Sequence, residues 1–461
     1  MNRIANRAWA VLLMIAILLG GLSVFVYEYF HNSPQWVIHS GNPHVYEEQE
    51  GAIPAVRGTM VDREGNLLLR IEDRWSYSAD PTVRMALLHW TGDRAGNIRD
   101  ALIRQYTQQM LDYDPVNGLY HYGGQDGNMQ LTLSAVVQEA ALRAMGNYKG
   151  TVAVYNYKTG ELLCAVTTPT YDPDRIPDFA GEDPGKYEGV YVNRFLQSAY
   201  IPGSIFKLVT TAAALQEIPD IQQQTFECTG SYAFGPDQVT CEIAHGKLTL
   251  KTAMQRSCNC TYAQIALQLG KEKLQKHVDA YGVLHTISFD GLSTVKGNFD
   301  VADAAAVELA WSAIGQHKDQ INPCAFLTFV GAIAAGGQGV RPYVVQRVNV
   351  GEKVTYSAAV TQMERIMPED TALLLQQWMR NNVVNQYGQE QFHGLTVCAK
   401  TGTGQVDGGL KPNATFTGFV MDEAYPLAFI VCVENGGYGR HVCIPIISQV
   451  LQACVQVLDR Q

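Results

Sequence analysis

Tyr200-Ile201-Pro202-Gly203-Ser204-Ile205-Phe206-Lys207, continuing as Leu208-Val209-Thr210-Thr211-Ala212-Ala213-Ala214-Leu215, is the stretch on which the rest of the chain depends. The Pro-Gly pair stops the segment before it, and the Ala-rich apolar run after it predicts a buried helix. Ser204 then falls at or near the first helical turn. There, unpaired backbone N–H groups and the positive dipole end favour developing negative charge. Lys207 follows three residues later on the same helix face. A serine hydroxyl becomes a nucleophile when a neighbouring base takes its proton. A lysine kept neutral by burial or by a second cation can be that base. A serine that only caps the helix would read the same way, so Ser-x-x-Lys alone does not decide.

The 461 residues around this stretch are enough for two or three domains with a substantial core. With 47% hydrophobic and 17% charged residues, the chain is neither disordered nor a coiled coil. A net charge of −10 and the lack of any basic run argue against a nucleic-acid partner. Trp9 to Tyr27 is uncharged, and as a helix it would be about 28 Å long, close to the hydrocarbon thickness of a bilayer. Arg3 and Arg7 precede it and no Lys or Arg follows until Arg57. The positive-inside rule therefore places the short N-terminus in the cytoplasm and the remainder outside. A cleaved signal peptide is the other reading of such a run, but no small-x-small cleavage site follows cleanly.

The expected organisation is a cytoplasmic N-terminus (1–8), a transmembrane anchor (9–28), a small N-terminal domain (29–128) and a C-terminal domain (129–461), with the boundary in the polar patch His121–Asn128. Residues 57–69 predict two strands about a Glu64-Gly65-Asn66 turn, and residues 85–112 predict one or two surface helices. A helix is expected over Ala135–Met145 and a hairpin over Gly150–Val166. A largely helical middle follows. Strands are expected over Gly394–Thr401, Ala414–Met421 and Leu427–Val433, then a last helix. Strands at both ends of a helical middle make the class α+β.

Among ten cysteines, Cys228 and Cys241 flank a Gly-containing hairpin segment and form the expected disulfide pair. Cys258-x-Cys260 lacks a second Cys or His pair at zinc spacing. No Gly-rich phosphate loop is present, so neither a metal nor a cofactor is expected.

Three short patterns carry the chemistry: Ser204-x-x-Lys207, Ser257-Cys258-Asn259 and Lys400-Thr401-Gly402. Each has decoys in the same chain, namely Ser293-x-x-Lys296, Ser40-Gly-Asn42 and Lys158-Thr-Gly160. Order and setting separate them. Lys158 lies in a hairpin turn before the serine, whereas Lys400 ends an alternating strand whose edge could pair with a peptide.

In that order the three patterns resemble the signature of class B penicillin-binding proteins, membrane-anchored D,D-transpeptidases of bacterial cell-wall synthesis. Arg57-Gly-Thr-Met-Val-Asp-Arg-Glu-Gly-Asn66 resembles the start of the family's pedestal domain. Leu131-Thr-Leu133, Lys158–Ala165, Thr168–Pro173, Asn193-Arg194, His245-Gly246 and Ala335–Gly337 also sit where the family has similar residues. The resemblance implies a β-lactamase-like antiparallel sheet flanked by helices. It makes Ser204 the acylated nucleophile and Lys207 its base, with Ser257 and Asn259 as relay and holder. Lys400, Thr401, Gly402 and Thr403 would receive the substrate. It also implies stem peptides or their lipid-linked precursor as substrate, β-lactams as inhibitors, and a polytopic glycosyltransferase as partner at the cytoplasmic membrane. The chain departs from the family at Gly404 (usually Ala), at Gly315-Gln316-His317, and at Asn413–Gly418, where His and Trp are lost. A hydrolytic relative, passing the acyl group to water, and a non-catalytic β-lactam sensor or scaffold remain open at this point.

Overall fold

A computed structural model describes residues 2–40, 56–111, 113–114, 119–120, 126–179, 181 and 185–460. Helix α1, Asn2–Ser40, outruns the expected anchor at both ends. Within Ile4–His31 an 18-residue window reaches a mean hydropathy of 2.6, and Trp9, Leu18 and Phe25 are exposed. It is long and apolar enough to cross a membrane.

Along the chain follow β1 (Gly58–Val61), β2 (Leu67–Ile71), β3 (Trp75–Tyr77), α2 (Pro81–Thr91), β4 (Gly127–Leu131), α3 (Ala135–Met145), β5 (Gly150–Asn156) and β6 (Leu162–Thr168). The middle holds α4 (Lys207–Glu217), β7 (Phe226–Cys228), β8 (Ser231–Phe234), β9 (Asp237–Thr240), β10 (Gly246–Leu248), α5 (Leu250–Arg256), α6 (Asn259–Ala280) and α7 (Pro323–Ala334). The last part holds β11 (Val345–Val350), β12 (Lys353–Ser357), α8 (Glu369–Asn382), β13 (Val397–Gly404), β14 (Asn413–Val420), β15 (Leu427–Val433) and α9 (Gly439–Leu458).

Two sheets organise these elements. The first has the order β12-β11-β4-β1-β2-β3, so residues 345–357 complete a sheet begun at residue 58. The expected boundary at 128/129 falls inside β4, and part of its polar patch (121–125) lies outside the described residues. Asp62, buried in the turn after β1, accepts from Glu64 N (3.0 Å), Asn66 N (2.7 Å) and Asn66 Nδ2 (3.0 Å), and also from Ala135 N at the start of α3 (3.0 Å). A carboxylate at a helix N-terminus satisfies one of its unpaired donors. Here that bond ties the first sheet to the C-terminal half of the chain. Helix α2 corrects the expectation of surface helices: Leu87, Leu88 and Trp90 are buried, and Trp90 Nε1 donates to Ala165 O at 2.7 Å.

The second sheet is antiparallel throughout, in the order β13-β14-β15-β5-β6. Its side chains alternate between two cores. Val152, Val154, Phe429 and Val431 pack with Ile447 and Leu451 of α9 and Val137 and Ala141 of α3. Ala153, Tyr155 and Ile430 pack with Phe326 and Phe329 of α7 on the other face. With both faces covered, β14 and β15 are buried at every position, which is why β15 reads as a continuous apolar run. Cys228 and Cys241 are free thiols, against the expected disulfide. Cys241 Sγ lies 3.7 Å from Cys258 Sγ, a contact far longer than the ~2.05 Å of an S–S bond.

Candidate active site

The nucleophile turn differs from the expected α-helical start. Gly203–Phe206 is a 3-10 turn, and the α-helix begins at Lys207. Gly203 N donates to Gly315 O at 2.8 Å, which fixes the turn against the segment before α7. Lys207 is fully buried at the head of α4, and its Nζ lies 3.0 Å from Ser204 Oγ.

The second wall begins where α5 ends. Ser257 takes a left-handed conformation, φ 53° and ψ 39°, beyond the last turn of α5. Non-glycine residues adopt this region at a cost and mainly where the surroundings demand it. The result is that Ser257 presents two oxygens to Lys207 Nζ, its carbonyl at 2.7 Å and its Oγ at 3.2 Å. Asn259 Oδ1 is 2.7 Å from the same nitrogen. The helix-capping position is occupied by Cys258, whose Sγ accepts from Thr261 N. Asn259 is therefore free to face Lys207, while its Nδ2 donates to Thr240 O at 2.8 Å.

The third wall is β13, at the edge of the second sheet. Lys400 is fully buried, with Nζ 3.0 Å from Ser257 Oγ and 2.8 Å from Thr401 O. All five expected catalytic residues thus converge. Asn382 of α8 donates to Ala399 O at 3.0 Å, as does Arg380 to Val397 O, and Tyr387 OH accepts from Thr401 N at 3.1 Å. These contacts cover the first half of the β13 edge. Gly402 was expected to make room for a bound peptide. Its Cα instead faces the nucleophile turn, and a Cβ there would stand 2.6 Å from Pro202 O and 2.3 Å from Thr415 Oγ1. Gly404 has the same role: a Cβ would meet Ile201 O at 2.3 Å, so the family's usual Ala would not fit.

The other departures also have physical settings. Thr415 and Thr417, on the altered strand β14, pair across with Gly402 and Lys400, and Thr415 Oγ1 donates to Pro202 O at 2.8 Å. Gln316 donates from Nε2 to Thr403 O (3.0 Å) and accepts at Oε1 from Gln405 N (3.2 Å). Gln316 and Tyr387 are the site residues that sequence reasoning missed. The first lay inside a pattern already noted; the second had no local signal. The decoys stay apart: Lys158 sits in the β5–β6 hairpin turn, where its N donates to Asn156 Oδ1, and Ser293 pairs with Ser288 in a two-residue ladder.

Burial controls the electrostatics. Loss of water around Lys207 pushes its pKa from 10.5 down to about 8, partly opposed by Cys258, Cys241 and Cys260 nearby. Burial, then repulsion from Lys207, holds Lys400 well below the usual lysine range. Two buried ammonium groups sharing one hydroxyl disfavour each other's charge. A neutral Lys207 has two hydrogens, and Ser257 O and Asn259 Oδ1 can accept both. Its lone pair is then left for the Ser204 proton.

The family model described as the penicillin binding protein transpeptidase domain matches residues 150–452. The chain belongs to this family, and the matched residues include Ser204, Lys207, Ser257, Asn259 and Lys400. The peptidoglycan D,D-transpeptidase PbpA of Mycolicibacterium smegmatis is 28% identical over 348 residues, covering 68% of each chain. Stage V sporulation protein D of Bacillus subtilis is 28% identical over 377 residues, 77% of this chain and 56% of that protein. The fold is similar to that of penicillin-binding protein A from M. tuberculosis, solved as a ceftriaxone acyl-enzyme complex, with a TM-score of 0.75 and 24% identity over 87% of this chain and 98% of that one.

Proposed function

We propose that the chain cross-links peptidoglycan stem peptides as a serine D,D-transpeptidase. Ser204 Oγ attacks the carbonyl between the two terminal D-alanines, and its proton passes to Lys207 Nζ. The C–N bond then breaks, and the departing D-alanine amine takes a proton relayed through the Ser257 hydroxyl. An acceptor amine attacks the resulting ester, gives up a proton to Lys207, and releases Ser204 with its hydroxyl restored. The backbone N–H groups of Ser204 and Thr403 are assigned to the developing oxyanion; losing one such donor costs about 2.7–4 kcal/mol of barrier.

The substrate carboxylate sets the protonation pattern. Arriving near Thr401 and Thr403, it favours charge on Lys400, and a charged Lys400 further disfavours charge on Lys207. Binding thereby prepares the base. Substrate pairing is confined to β13 beyond Thr401, because α8 and Tyr387 occupy the edge before it. A β-lactam would be attacked in the same way, with its leaving nitrogen still tethered to the acyl group.

The apolar α1 would hold the catalytic half outside the cytoplasmic membrane, with Arg3 and Arg7 inside. A polytopic glycosyltransferase partner would meet the chain along this helix. The observation that carries the reading is the shared Ser257 hydroxyl, which links the Ser204–Lys207 pair to Lys400. The test is a depsipeptide donor ending in a D-alanyl ester, incubated with and without a D-amino acid acceptor. Amide product is expected. Release to water alone, at any acceptor concentration, would make the enzyme a hydrolase instead.

A further inference from the structure

Directly behind the second wall of the site, four ligand atoms converge. They are the sulfurs of Cys228, Cys241 and Cys258 and a ring nitrogen of His245, all within 4.8 Å of one another. The residues arrive from separate elements. Cys228 ends β7, Cys241 follows β9, His245 precedes β10, and Cys258 lies between Ser257 and Asn259.

The spacing is that of a tetrahedral metal centre. Zn–S bonds of about 2.3 Å and Zn–N bonds of about 2.0–2.1 Å place tetrahedral S···S pairs ~3.8 Å and S···N pairs ~3.5 Å apart. Cys241 Sγ and Cys258 Sγ are 3.7 Å apart, and Cys228 Sγ and His245 Nδ1 are 3.5 Å apart. Backbone donors already point at the sulfurs: Asn259 N (3.1 Å) and Cys260 N (3.4 Å) at Cys241, and Thr261 N (3.4 Å) at Cys258. These N–H groups belong to the first turn of α6, whose dipole favours thiolate charge. Donors of this kind hold ligand sulfurs in orientation.

We infer that Cys228, Cys241, His245 and Cys258 bind one structural zinc ion that positions Ser257 and Asn259 for catalysis. Three sulfurs and one nitrogen fill a tetrahedral set and leave no open position, which is the pattern of a structural rather than a catalytic zinc. The ion would cross-link the β7–β10 hairpin region to the loop that carries Ser257 and Asn259. Asn259 already reaches that region through Thr240 O. The set escapes a local motif search because twelve, three and twelve residues separate its members, and only the fold closes those intervals. Cys260 stands outside it, with its sulfur directed at Val239 O, 3.9 Å away.

The test uses the full chain, solubilised from membranes and purified without chelator. Elemental analysis is expected to find one zinc per chain in the unaltered protein and in Cys260→Ser. Cys228→Ser and His245→Ala should lose the metal, whereas His245→Cys should retain it. A strong chelator should slow acylation by labelled penicillin about 10–100-fold, and added zinc should restore the rate. Cobalt substitution should give the thiolate charge-transfer and ligand-field absorption of a tetrahedral sulfur-rich site. A zinc-free protein that acylates at full rate would overturn the inference. So would a Cys228–Cys241 disulfide found by peptide mapping, or zinc lost from Cys260→Ser but kept by Cys228→Ser. Metal content is read independently of acylation, so failure of the Ser204 assignment would leave this result unaffected.

Discussion

Lys207 and Lys400 are both fully buried and both reach one hydroxyl, that of Ser257, at 3.2 Å and 3.0 Å. Two buried ammonium groups in such a position cannot both keep their protons without cost. The chemistry of the site follows from how that charge is shared.

Lys400→Met keeps the length and burial of the side chain and removes its amine. Ser257 Oγ then loses one partner, and the substrate carboxylate loses its counter-charge. Acylation by labelled penicillin is expected to slow by roughly 10²–10³-fold, as for loss of one preorganised electrostatic contact. An unchanged rate would separate Lys400 from the mechanism.

The pH dependence follows from Lys207. Its folded pKa of about 8 lies below its ordinary 10.5, and below about 8 it is an ammonium that cannot take the Ser204 proton. Acylation should rise with pH to a plateau above about 8. Between about 8 and 10.5 the unfolded chain holds the extra proton, so this group makes stability rise with pH in that window. Acylation independent of pH from 6 to 9 would exclude Lys207 as the base.

Gly404→Ala restores the family's usual residue and should still be harmful here. Its Cβ would collide with Ile201 O, so strand β13 must move off the nucleophile turn, at a cost of about 1–3 kcal/mol. A lower thermal midpoint together with slower acylation is the expected pair of results. A variant as stable and active as the parent would show that the contact relaxes freely.

Gln316→Ala removes the side chain that bridges Thr403 O and Gln405 N. Thr403 then loses its restraint while the core is untouched. Acylation should fall about tenfold with the thermal midpoint nearly unchanged, a separation that tells positioning from folding.

Asp62→Ala leaves Glu64 N, Asn66 N and Ala135 N without their carboxylate partner. A loss of about 1–3 kcal/mol is expected for groups left unsatisfied at such a site. Denaturant unfolding would measure it. No change would mean that the turn after β1 and the start of α3 hold together without this bond.

Much of the site was legible because its chemistry is written in local patterns. Ser204 and Lys207 share one turn, Ser257 and Asn259 share one loop, and Lys400 lies on a strand with an alternating pattern. Helix α3 was readable from its apolar period, and strand β15 from its unbroken apolar run. What was not legible depends on distant pairing. Strands β11 and β12 complete a sheet begun nearly 300 residues earlier, and nothing in residues 345–357 alone says so. Tyr387 reaches Thr401 only because α8 lies along β13. Cys228 and Cys241 read as a disulfide pair because the hairpin between them was visible, whereas the approach of His245 and Cys258 was not. The 3-10 turn at Gly203–Phe206 was hidden by the α-helical composition of the residues after it.

The central claim is that Ser204 forms the acyl-enzyme. Labelled penicillin, reacted with the full chain in membranes and mapped by peptide mass spectrometry, tests it most directly. The label should appear on the peptide containing Ser204 and be absent from Ser204→Ala protein that keeps the parent's thermal midpoint. Equal labelling of the Ser204→Ala protein, or label on any other residue, would contradict the account.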